Sequence, residues 1–121
     1  MKKVAFITLG CKVNTYETEG MKRIFEMDGY EVVEPEDTAD VYIINTCTVT
    51  HLSDRKSRQM IRRARRMNPQ AIIAAVGCYA QVAPEEVSAI EGVNLVVGNN
   101  HKNKILSLVS EASWNTLQVQ V

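Results

Sequence analysis

Three apolar runs, each of strand length, constrain this chain more than any other feature: Val4-Ala5-Phe6-Ile7-Thr8-Leu9, Val41-Tyr42-Ile43-Ile44 and Ala71-Ile72-Ile73-Ala74-Ala75-Val76. The last is continuously apolar, as a central strand covered on both faces should be. Between the runs the pattern switches to helical spacing, and this alternation is the signature of an α/β domain with a parallel sheet. With 121 residues, 45% of them hydrophobic, the chain suits one domain with a sizeable core.

The pattern predicts strands at 3–9, 30–34, 41–46, 71–76 and 93–97. It predicts helices at 15–29, 51–67 and 101–111, with two short helical pieces starting near 79 and at Pro84. In the first helix Asn14 and Glu17 read as an N-cap and N3 pair, Met21, Ile24, Phe25 and Met27 as the buried stripe, and Gly29 as the stop. In the second, Leu52, Met60, Ile61, Ala64 and Met67 form the inner face and Asn68-Pro69 ends it. The stretch 112–121 lacks helical period, and Leu117 to Val121 alternate like an edge strand. The domain is therefore read as 1–111, with 112–121 an atypical tail or truncated linker.

Each apolar run leads directly to a cysteine, and Cys11, Cys47 and Cys78 are the only three in the chain. In a flavodoxin-like three-layer sandwich of about five strands, order 2-1-3-4-5, the strands before these cysteines are neighbours. At about 4.8 Å between strands, the three chain exits then span only about 10 Å. Three thiolates so placed can hold three irons of a cubane iron-sulfur group and leave the fourth iron open to an exchangeable ligand. The competing reading is that each cysteine is a small buried hydrophobe. Gly10 and Gly77, just before Cys11 and Cys78, suit either reading as tight turns.

Other chemistries of such a fold lack their residues. A phosphatase loop needs Arg six residues after Cys, where Glu17, Ser53 and Pro84 stand instead. A phosphate-accepting receiver domain wants acids where Cys11 and Cys47 are found. No Gly-x-x-x-x-Gly-Lys-Ser/Thr or Gly-x-Gly-x-x-Gly motif occurs. Zinc prefers close pairs of four N or S ligands, and neither His51 nor His101 has the spacing to complete a set.

The 14 basic and 14 acidic residues balance, but not locally. Arg55, Lys56, Arg58, Arg62, Arg63, Arg65 and Arg66 face the single acid Asp54 within one predicted helix. A solvated charged face explains such a run, and so does contact with nucleic-acid phosphates, for which Arg55, Lys56, Arg58, Arg62, Arg63 and Arg66 are the candidates. Tyr16, Tyr79 and Trp114 are candidate base-stacking residues, with packing their default role. An odd cysteine count favours a reducing compartment, and neither a signal peptide nor a membrane-spanning run is seen, so a cytoplasmic location without membrane partners is expected.

Gly10-Cys11-Lys12-Val13-Asn14, Tyr16-Glu17-Thr18-Glu19, Asn45-Thr46-Cys47-Thr48-Val49, Arg55-Lys56-Ser57-Arg58-Gln59 and Gly77-Cys78-Tyr79-Ala80-Gln81 closely resemble, in order and spacing, the N-terminal domain of the radical-SAM methylthiotransferases. The likeness covers roughly residues 1 to 110. Its Gly-Cys-Lys-Val-Asn form resembles the branch that methylthiolates threonylcarbamoyladenosine beside the tRNA anticodon. The resemblance implies that Cys11, Cys47 and Cys78 bind an auxiliary 4Fe-4S cluster for sulfur transfer. It also implies that the full-length parent carries a second 4Fe-4S cluster, S-adenosylmethionine, a radical-SAM domain and a C-terminal RNA-binding domain, with tRNA as partner.

The Cys-x-x-x-Cys-x-x-Cys triad of the SAM-cleaving cluster is not in this sequence. The expectation is thus a domain inactive by itself, whose uncovered surface invites homodimerisation. The alternative is a non-enzymatic RNA- or protein-binding α/β module with structural cysteines.

Overall fold

The computed structural model describes residues 2–9, 12–34, 36–46, 51–77, 92–98, 105–111 and 118–120. Its elements run β1 (Lys3–Leu9), α1 (Lys12–Met27), β2 (Glu31–Val33), β3 (Val41–Thr46), α2 (His51–Met67), β4 (Ile72–Gly77), β5 (Leu95–Val97), α3 (Ile105–Glu111) and β6 (Gln118–Gln120). All five strand pairings are parallel, in the order β2-β1-β3-β4-β5-β6. The flavodoxin-like order 2-1-3-4-5 expected from sequence is thus present, extended by the edge strand read in the last residues. Residues 112–117, and the helical pieces expected near 79 and from Pro84, lie outside the described residues.

Both faces of the sheet are apolar because alternate residues of each central strand point opposite ways. Ala5, Ile7, Tyr42, Ile44, Ile73, Ala75 and Val96 pack with Ile61 and Ala64 of α2. Val4, Phe6, Val41, Ile43, Ala74, Val76, Leu95 and Val97 pack with Met21 and Phe25 of α1 and Ile105, Leu108 and Val109 of α3. Two helical layers therefore enclose one sheet, which is why β1, β3 and β4 read as unbroken apolar runs.

Helix α1 ends in a Schellman motif: Tyr30 N donates to Phe25 O at 3.0 Å and Gly29 N to Glu26 O at 3.1 Å. Gly29 supplies the left-handed φ of 92° that the turn requires. The ring of Phe25 is edge-on to Tyr30 at 4.9 Å and to Phe6 at 5.6 Å, sealing the helix end against the sheet. Two expectations fail here. The helix begins at Lys12, so Asn14 lies inside it and is not the N-cap. Met27 is 89% exposed, because the stripe of Met21 and Phe25 turns Met27 about 200° from Phe25 at 100° per residue.

The N-terminal edge of the sheet is held by polar contacts. Asp40 Oδ2 accepts from Lys3 N at 2.8 Å, and Tyr42 Oη accepts from Ala39 N and donates to Asp37 O, both at 3.0 Å. Asn68, just past α2, donates through Nδ2 to Ala39 O at 2.8 Å. The strongest tie is Arg65. Its Nη1 donates to Pro69 O and Ala71 O, each at 2.8 Å, and its Nη2 donates to Gly92 O at 2.7 Å and to Asn94 Oδ1. Asn94 Oδ1 also accepts from Ile73 N at 3.0 Å, so one guanidinium joins α2 to the starts of β4 and β5. Gly92, at φ 102°, lets its carbonyl reach Arg65, whose Cβ lies 3.6 Å from where a Gly92 side chain would begin.

Arg65→Ala removes four hydrogen bonds and takes the part-buried carbonyls of Ala71 and Gly92 from their side-chain donor, so unfolding in urea is expected to show a loss of about 2–3 kcal/mol. Arg65→Lys should recover only part of it, because an ammonium lacks the planar fork that meets four acceptors at once. Stability equal to wild type in Arg65→Ala would show that this tie carries no weight.

Candidate functional site

The register of β1, β3 and β4 brings their last residues into one row. Leu9 pairs with Thr46, and Thr46 with Gly77; one step earlier, Thr8 pairs with Asn45 and Asn45 with Val76. Three neighbouring parallel strands thus finish level at the same edge, spanning about 10 Å from first to third. In the sequence, Cys47 and Cys78 come directly after Thr46 and Gly77, and Cys11 is the second residue after Leu9. The cysteines themselves lie outside the described residues, as do His101, Tyr79 and Trp114. Among the described residues no group of His, Cys, Asp or Glu is arranged to hold a metal ion.

Beneath this edge sits a polar pair that the pattern of apolar runs gave no reason to expect. Asn45 is fully buried in β3 and Thr18 is 3% exposed on α1, and Asn45 Nδ2 donates to Thr18 Oγ1 at 3.1 Å. A buried amide is held only where its bonds are made, so this contact fixes α1 against the end of β3. The sequence signal was an Asn in the last turn of an apolar strand, one residue from the Thr that closes it.

The second candidate region is α2. Arg55, Arg62, Arg63 and Arg66 are exposed, while Arg58 is half-buried. Lys56 lies on the same helix, its side chain outside the described set. At 100° per residue, Arg55, Gln59, Arg62 and Arg66 fall on one stripe along the axis, and Arg65 falls toward the sheet. The sequence run of seven basic residues therefore divides into two jobs. Arg65 belongs to the fold, and its burial lowers its pKa from the ordinary arginine value, though a guanidinium remains charged in proteins. Arg55, Arg62, Arg63 and Arg66 lie on the exposed side of a helix whose inner side is Ile61 and Ala64. Gln59, Arg62, Arg65 and Arg66 line a cavity of about 460 Å³.

Comparisons with known proteins place this architecture. A response regulator from Burkholderia multivorans superposes with a TM-score of 0.53 at 11% identity, covering 95% of this chain and all of that one. That likeness concerns the fold alone, since Cys11 and Cys47 stand where a receiver needs acids. In sequence, the chain is 56% identical over 109 residues to the threonylcarbamoyladenosine tRNA methylthiotransferase MtaB of Aquifex aeolicus, covering 90% of this chain and 27% of that protein. It is 55% identical over 111 residues to the protein of the same name from Bacillus subtilis, covering 92% of this chain and 25% of that protein. The chain spans about a quarter of the length of these curated relatives. The likeness to methylthiotransferases read from the cysteine motifs is borne out. Residues 3–98 match the model described as uncharacterized protein family UPF0004, and the chain belongs to that family.

Proposed function

We propose that this chain is the domain of a tRNA methylthiotransferase that presents the thiolates of Cys11, Cys47 and Cys78 to an auxiliary 4Fe-4S cluster, in an enzyme acting on threonylcarbamoyladenosine next to the anticodon. The observation that carries the reading is the level row Leu9, Thr46 and Gly77 on three adjacent strands. Cysteines so far apart in sequence can share one cubane cluster only where the fold brings their segments together, and three neighbouring strand ends do so within about 10 Å. When bound, such a cluster offers an open iron site at which sulfur can be carried for transfer.

The chain's own residues have definable parts in this. Both faces of β3 and β4 are packed, so the strand ends are held rigidly and the segments after them start from fixed points. Asn45 and Thr18 tie α1 to β3 at that edge, which fixes the start of the helix that follows Cys11. The relatives' names and the exposed arginines of α2 support tRNA as the partner. The radical-SAM and RNA-binding domains of a full-length parent would complete the enzyme, and the location would be cytoplasmic, where tRNA and reduced thiols coexist.

Anaerobic reconstitution of this chain with iron and sulfide is expected to give a brown protein with about four irons per chain. Cys11→Ala, Cys47→Ala and Cys78→Ala should each lower the iron content sharply while the fold survives by circular dichroism. Absence of iron uptake by the folded wild-type chain would favour a binding module with structural cysteines.

In the full-length parent, the same substitutions are expected to abolish formation of the methylthiolated nucleoside and to leave deoxyadenosine formation from S-adenosylmethionine in place. Parallel loss of both products in a folded variant would show that the triad serves something other than sulfur delivery.

A further inference from the structure

The cavity beside α2 gathers positive charge, and no carboxylate is among its described lining residues. Three of its four described lining residues are arginines, and the fourth, Gln59, adds an amide donor. Arg65 meets carbonyl and amide oxygens rather than a carboxylate, and those contacts occupy both Nη atoms and leave Nε–H as its remaining donor. Its charge is therefore fixed in place beside the cavity with no carboxylate among its described partners, while Arg62 and Arg66 are exposed. Arg62 and Arg66, four residues apart, stand about 6 Å from each other along the axis, a spacing that lets both reach one small anion.

Arginine forks match phosphate oxygens two at a time, and all four described lining residues carry N–H donors, so the features point to an anionic group such as a backbone phosphate. Location adds meaning. Helix α2 starts after the edge where β3 ends and runs to the opposite edge, where β4 begins. Gln59 to Arg66 lie 8 to 15 residues past His51, or about 12–22 Å along the helix.

We infer that the cavity lined by Gln59, Arg62, Arg65 and Arg66 is a backbone-phosphate site for structured RNA, anchoring the substrate at a distance from the cysteine-bearing edge. The inference rests on the proposal that the substrate is a tRNA. It does not depend on a bound cluster, and the test uses the chain without one.

Fluorescence anisotropy of this chain with a synthetic tRNA anticodon stem-loop, over about 50–200 mM salt, reads the site directly. Arg62→Gln/Arg66→Gln is expected to weaken binding by about tenfold and to flatten the log-log salt slope by about 0.7–0.9 for each lost phosphate contact. Arg62→Lys/Arg66→Lys should retain the slope and lose part of the affinity. Arg23→Gln, which removes one charge at an exposed position of α1, should leave both nearly unchanged, and so should Cys47→Ala. The inference is overturned if the double glutamine variant binds like wild type, if Arg23→Gln weakens binding as much, or if the wild-type chain shows no salt-dependent binding. Loss of iron uptake with RNA binding intact would instead count against the cysteine reading and leave this site standing.

Discussion

The in-register parallel pairing of β1, β3 and β4 is the constraint on which everything else depends. Because Val4 pairs with Val41 and Val41 with Ile72 at one end, Leu9, Thr46 and Gly77 meet at the other. A slip of one residue in any of these strands would turn its core residues to the wrong face. Both faces carry large buried side chains, among them Tyr42, Ile43, Ile44 and Ile73, so a slip would exchange side chains between two packed layers and cost about 1–3 kcal/mol for each group that no longer fits. Packing thus sets the level of the strand ends, and the strand ends set where the cysteines begin.

At the N-terminal edge, Asp40, Tyr42, Asn68 and Arg65 bind backbone atoms of neighbouring segments and lock the connections. At the C-terminal edge Asn45 donates to Thr18, which orients α1. In parallel α/β sheets ligands gather beyond the carboxyl ends of the strands, at the point where strand order reverses. That point here is between β1 and β3, whose chain continuations hold Cys11 and Cys47.

Much of this was legible in the sequence, for physical reasons that differ by element. The bounds of β1, β3 and α2 follow from apolar runs and helical period, because burial on both faces leaves little freedom in composition. Gly29 was readable as a stop because only a left-handed residue closes a Schellman turn. The start of α1 was misread, since an Asn three residues before a Glu resembles a cap wherever it falls and the helix had already begun at Lys12. Arg65 could not be told from its neighbours by composition. Its role comes from Gly92 and Asn94, 27 and 29 residues away in sequence. Long-range hydrogen bonds of that kind leave no periodic trace.

The central claim is that three strand ends bring three thiols to one point, and trivalent arsenic reports on this without any cluster assembly. Arsenite binds tightly where three thiolates converge, so X-ray absorption of the reduced, monomeric chain with one equivalent of arsenite counts the sulfurs around each arsenic. The account predicts three sulfur neighbours, falling to two when any one of Cys11, Cys47 or Cys78 is replaced by Ala. Two or fewer sulfurs in the wild-type chain would contradict it.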